Sequence, residues 1–216
     1  MAPVALGGSV VRKGRSVAAR IIDGTQIAAA VRREVREQVR KFRDGGSGVP
    51  GLAVILVGDD PASAAYVRSK AKACEEAGIA SRQLTFPRYV SQEELTETLR
   101  NLNRDPGIHG ILVQLPLPKH LDERAALEIV DPGKDVDGFT YASIGRLTEN
   151  HARFVPCTPA GILELLDREK IEIAGTHAVV VGRSEIVGKP VAMLFLHRHA
   201  TVTVCHSRTA DLAAET

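Results

Sequence analysis

Leu52-Ala53-Val54-Ile55-Leu56-Val57, closed by Gly58-Asp59-Asp60-Pro61, is the stretch whose reading decides the fold. Its apolar residues run on without alternation. That pattern describes a strand covered on both faces, as in a parallel sheet sandwiched between helices. Just beyond it, the Gly58–Pro61 turn leads into a helix predicted over 62–77 and stopped by Gly78. A second strand is expected over 83–86, followed by a helix over 92–103. Gly110-Ile111-Leu112-Val113-Gln114-Leu115 repeats the buried-strand pattern and ends at Pro116 and Pro118. A helix over 123–130 and an irregular stretch through Asn150 complete the unit. Upstream, Thr25 is the expected cap of a helix carrying Ile27, Val31, Val35 and Phe42 at helical spacing, ending near Gly45-Gly46.

A second unit opens at Pro156-Cys157-Thr158-Pro159, where Thr158 can cap a helix with Pro159 in its first position. A strand over 178–181, a Gly-containing turn, a helix over 190–197 and a strand over 201–204 then read as a βαβ unit. Strands alternating with helices predict an α/β fold. It comprises a three-layer domain over 21–155 and a partial Rossmann-like domain over 156–216. The last unit supplies two strands where such domains usually hold five or six, so the chain reads as C-terminally incomplete.

The 28 Lys and Arg residues nearly balance the 26 Asp and Glu, and the net charge of +2 implies neither nucleic acid nor an anionic membrane. No run approaches the about 18 apolar residues that span a bilayer. Cys74, Cys157 and Cys205 lie far apart, an odd set without a Cys-x-x-Cys pair. They are expected to be small buried residues in a reducing compartment, not zinc ligands. Residues 1–20 are Gly-rich and basic, lack a continuous apolar segment, and read as a disordered leader.

Five segments carry chemistry. Tyr66 and Lys70 are four apart near the start of a predicted helix, so both project from one face. Lys70 there is a candidate acid/base group, favoured in its neutral form by the helix N-terminus; the alternative is a solvated helix face. Gln114 stands at the C-terminal end of a buried parallel strand, where such folds place ligands, or else simply terminates it. Lys134-Asp135-Val136-Asp137-Gly138-Phe139 sets two carboxylates in a loop. A loop carboxylate can accept the paired N–H groups of an aminopyrimidine, whereas two carboxylates alone make a poor cation cage, so no metal site is expected. A plain turn with Gly138 at positive φ is the other reading.

Gly182-Arg183-Ser184-Glu185-Ile186-Val187-Gly188-Lys189-Pro190 is a strand-to-helix turn that departs from Gly-x-Gly-x-x-Gly at Ser184. Helix N–H groups and Arg183 suit a phosphate there. After the next strand, Cys205-His206-Ser207-Arg208-Thr209 lacks the carboxylate an NAD site uses on ribose. Arg208, with Arg183, favours a 2′-phosphate and hence NADP.

In this order, the segments from Val57 to Ser63, Tyr66 to Lys70, Gly110 to Pro118, Lys134 to Phe139, Pro156 to Pro159 and Gly182 to Thr209 resemble the bifunctional methylenetetrahydrofolate dehydrogenase/cyclohydrolase family. The resemblance covers roughly residues 21–210. It implies an enzyme of one-carbon metabolism serving purine biosynthesis, cytoplasmic and homodimeric, acting on tetrahydrofolate derivatives with NADP. Lys70 would be the catalytic lysine, Tyr66 would stack on the folate, Gln114 would tune Lys70 and Asp137 would hold the pterin. Gly182, Arg183, Ser184, Ser207 and Arg208 would line the cofactor site. The family continues for roughly 70 or more further residues, including a Pro-Gly-Gly-Val-Gly-Pro loop and a last helix returning to the first domain. The alternative function is a non-catalytic folate-binding fragment.

Overall fold

Strand β1 (Gly51–Val57) is central to a three-stranded parallel sheet of order β2-β1-β3, with β2 (Ala80–Phe86) and β3 (Gly110–Val113) at its edges. The computed structural model describes residues 19–216, so the leader expected over 1–20 lies outside the described residues up to residue 18. The unbroken apolar run of β1 serves two cores. Ala53 and Ile55, both fully buried, pack with Leu95 and Leu99 of α3 (Gln92–Arg104) and Ala126 and Leu127 of α4 (Glu123–Ile129). Val54 and Leu56 face Val67 and Ala64 of α2 (Pro61–Ala77). These are the three layers the sequence predicts.

Helix α1 (Gly24–Asp44) precedes the sheet, and α5 (Tyr141–Thr148) follows the loop after α4. The second unit runs α6 (Cys157–Arg168), β4 (His177–Val181), α7 (Gly188–His197), β5 (Thr201–Cys205) and α8 (Leu212–Glu215). β4 and β5 are parallel, and Val180, Val191 and Ala192 form the small core between them and α7. Arg168 donates from both terminal nitrogens to Glu34, at 2.8 and 2.6 Å, tying α6 to α1. Among the described residues no helix is long and apolar enough to cross a membrane.

Several local expectations change. Asp23, not Thr25, caps α1, accepting from the N–H groups of Thr25 and Gln26. Helix α6 starts at Cys157 without a side-chain cap, so Thr158 lies inside it and Pro159 is buried in its first turn. β2 begins three residues before the expected position, because backbone pairing with β1 recruits the exposed Ala80-Ser81-Arg82. The stretch expected to be irregular contains α5, capped by Thr140, whose hydroxyl accepts from Ser143 N–H. Cys74 and Cys205 are buried as expected, but Cys157 is exposed; all three are free thiols.

Candidate functional site

Helix α2 starts directly after β1, which places its first turns over the C-terminal edge of the sheet. Asp60 caps it, accepting from Ser63 N–H at 2.7 Å, and that hydrogen bond holds the Asp60 carboxyl below its usual range. One and a half turns on, Tyr66 and Lys70 share the face that looks across the strand ends. Lys70 Nζ donates to Gln114 Oε1 at 3.1 Å and lies 5.7 Å from the centre of the Tyr66 ring. β3 stops at Val113, yet Gln114 N–H still donates to Ile55 O at 2.9 Å. The Gln114 side chain donates through Nε2 to Leu115 O at 2.8 Å, which leaves Oε1 as the acceptor facing Lys70. Sequence places these groups 44 residues apart; the parallel pairing of β1 with β3 joins them.

The loop holding Asp137 is stitched down before it reaches the site. Lys134 Nζ donates to the carbonyls of Leu102, Asn103 and Asp105 at 3.1, 2.7 and 2.8 Å, satisfying the end of α3. Ile111 N–H donates to Lys134 O at 2.7 Å, and buried Asp135 accepts from Phe139 and Thr140 N–H. Gly138 has φ +68°, and a Cβ there would press on Phe154 O and the Pro156 ring at 3.2 Å. Only Asp137 of the two carboxylates faces the cleft. Burial pushes its carboxyl up to about 6; Lys70 opposes the rise and Asp135 adds to it.

Tyr66, Lys70, Gln114, Asp137 and Phe139 line a cleft of about 300 Å³, closed on the other side by Pro156, Cys157, Thr158, Ile186 and Val187. The four site residues expected in the first unit therefore meet in one place. Cys157, Ile186 and Val187 were not expected there. The Pro-Cys-Thr-Pro segment reads as a helix start, and the apolar Ile186-Val187 pair sits in a turn whose glycines and Arg183 read as a phosphate site. Desolvation against the cleft wall pushes the Cys157 thiol up, although the residue as a whole is exposed, and the charge of Asp137 adds to the rise.

The cofactor candidates gather elsewhere, at the C-terminal edge of β4 and β5. Val181 pairs with Cys205, and Gly182 N–H donates to Cys205 O at 2.8 Å, so the turn after β4 lies beside the segment after β5. Arg183, Ser207 and Arg208 are exposed on that edge and do not line the cleft. Ser184 Oγ accepts from the N–H groups of Val187 and Gly188 at 3.2 and 3.1 Å, so it organises the start of α7 from within the turn. Gly182 has φ +133°, and a Cβ on Gly188 would collide with the Gly182 carbonyl. The turn therefore has an open backbone at Gly182 and a closely packed one at Gly188.

Comparison with known proteins agrees with this arrangement. Residues 22–137 match the catalytic domain of tetrahydrofolate dehydrogenase/cyclohydrolase, and residues 156–216 match its NAD(P)-binding domain. The chain is 56% identical over 197 residues to the bifunctional protein FolD of Moorella thermoacetica, covering 91% of this chain and 70% of that one. The crystal structure of the bifunctional FolD enzyme of Campylobacter jejuni superposes with a TM-score of 0.87 at 44% identity, over 90% of this chain and 69% of that one. The Trypanosoma brucei dehydrogenase–cyclohydrolase, complexed with NADP and an inhibitor, gives 0.84 at 40% identity, over 89% and 66%. With both units matched in order, the chain belongs to the tetrahydrofolate dehydrogenase/cyclohydrolase family.

Proposed function

We propose that the chain oxidises 5,10-methylenetetrahydrofolate to the methenyl form with NADP+ and hydrolyses that product to 10-formyltetrahydrofolate. The observation that carries this reading is the Lys70–Gln114 pair set in a cleft with Tyr66 and Asp137. Residues 21–155 act as the folate and catalytic unit, and 156–216 as the cofactor unit. Asp137 accepts the paired N–H groups of the pterin, and Tyr66 stacks on the ring it orients. For the dehydrogenase step these contacts supply orientation. NADP+, when bound, supplies the hydride acceptor. Gly182 leaves its backbone open for a pyrophosphate, while Gly188 packs against the Gly182 carbonyl and shapes the turn. Ser184 already engages the first N–H groups of α7, so Arg183 and Arg208 supply the charge, with Ser207 as a hydroxyl partner.

In the hydrolytic step, water adds to the methenyl carbon and the carbon–N5 bond breaks. Lys70 takes one water proton and delivers it to N5; the other leaves to solvent. Gln114 holds the lysine nitrogen toward the reacting carbon. A cytoplasmic setting, and a homodimer in the full-length family form, belong to the same proposal and rest on the family resemblance. The test follows methenyltetrahydrofolate absorbance after mixing the chain with methylenetetrahydrofolate and NADP+. Lys70→Met should abolish its hydrolysis, by about 100-fold or more, given what a positioned proton carrier contributes. Turnover untouched by that change would remove Lys70 from the mechanism.

A further inference from the structure

The two walls of the cleft come from different units, and one side chain grips both. Arg124, on α4, donates through Nη1 to Phe139 O at 2.7 Å and through Nη2 to Glu185 Oε2 at 2.9 Å. Its guanidinium lies 4.7 Å from the centre of the Tyr141 ring, and Tyr141 N–H donates to Glu128, also on α4. Phe139 lines the cleft two residues after Asp137. Glu185 immediately precedes Ile186 and Val187, which line the facing wall, and follows Ser184, which organises the start of α7. A planar fork stacked on an aromatic ring fixes both directions at once, which a lysine cannot do. Glu185 is 59% exposed, and an ion pair so open to water adds little stability. Its consequence is geometric: it sets the spacing between the pterin loop and the cofactor turn.

We propose that Arg124 and Glu185 are positioning residues for the dehydrogenase step, clasping the cofactor turn to the pterin loop. The proposal rests on the functional reading above. Hydride transfer needs donor and acceptor held about 3–3.5 Å apart across the two units. Hydrolysis uses Lys70 and Gln114, both within the first unit. Loss of the clasp should therefore fall on one reaction and spare the other.

The test uses the full chain and two variants. Glu185→Ala removes the inter-unit contact and leaves Arg124 on Phe139; Arg124→Lys keeps the charge and removes the fork. Dehydrogenase kcat should fall about 5- to 20-fold in both, since a misplacement of 1 Å can cost about 100-fold. In Glu185→Ala, cyclohydrolase turnover and the folate KM should stay within about twofold of wild type. Amide exchange without ligand should accelerate in both variants over 184–188 and 138–141, while β1 amides keep their protection. An equal fall in both reactions with a lowered Tm would show a merely structural pair and overturn the proposal. Unchanged exchange in both segments would overturn it as well. If wild type catalyses neither reaction, the functional reading falls by itself, and the exchange comparison still decides the clasp.

Discussion

Asp135 and Asp137 stand two residues apart, and their surroundings give them opposite tasks. Asp135 is buried but accepts two backbone N–H groups, so its charge is satisfied within the loop. Asp137 has no such partners among the described hydrogen bonds, and burial raises its carboxyl to about 6. A carboxyl raised above its unfolded value binds its proton more tightly when folded. Its cost to stability is therefore full above pH 6 and is relieved as pH falls from about 6 toward 4. Asp137→Asn should raise stability at pH 7.5 by about 1–2 kcal/mol, measured by denaturant titration, with the gain shrinking as pH falls through that window. With Asp137 as the proposed pterin acceptor, folate affinity in wild type should weaken about tenfold per unit as pH drops below about 6. A flat binding profile from pH 5 to 7.5 would exclude Asp137 as the pterin acceptor. Spacing shows the carboxylate pair but not which member faces the site; the family resemblance alone singles out Asp137. The stitching by Lys134, which reaches three carbonyls at the end of α3, has no local signature.

The elements that carry the site differ in how openly the sequence declares them. β1 and the α2 start were legible because burial on two faces and an Asp-Pro helix entry are both written locally. The Tyr66–Lys70 face followed from spacing alone, whereas Gln114 joins it only through the β1–β3 pairing. Helix α5 escaped notice because it is short, holds Gly145, and buries little beyond Ser143 and Leu147. The β4–α7 turn has the weakest local signature, since Ser184 breaks the glycine pattern. Gly188 is required for the chain's own sake: it packs against the Gly182 carbonyl and lets α7 begin where it does. Gly188→Ala should shift this turn and weaken NADP+ binding by tenfold or more by calorimetry, in line with about 1–3 kcal/mol for overpacking. The folate cleft residues of α2 and β3 should keep their amide protection. NADP+ affinity equal to wild type would show that the cofactor does not use this turn.

Taken whole, the chain joins a well-filled unit to a sparsely filled one. The first sheet is packed on both faces, with Ile55, Leu95, Leu99 and Ile111 almost wholly buried. Around β4 and β5 the core cluster contains Val180, Val191 and Ala192, while Val181 and Val204 remain 60% and 40% exposed. Burying an aliphatic side chain contributes roughly 1.5–3 kcal/mol, so the two units differ widely in what holds them folded. Among the described residues the ion pairs between them are Arg168–Glu34 and Arg20–Glu169 on one side and Arg124–Glu185 on the other, beside the packing of α1 on α6 and α5 on α7, and exposed pairs couple units weakly. Unfolding should therefore occur in two transitions instead of one, with the 156–216 unit opening first. Ligands assign the transitions: each stabilises most the unit that supplies most of its contacts, by up to about 2.7 kcal/mol at one hundred times its Kd. NADP+ should move the first transition and a folate analogue the second, read by calorimetry and by far-UV circular dichroism in denaturant. A single transition shifted equally by both ligands would mean that the clasps and the α1–α6 contact fuse the units into one cooperative body. In that case Arg168→Ala should split the transition, because it removes both hydrogen bonds that α6 makes to Glu34 of α1.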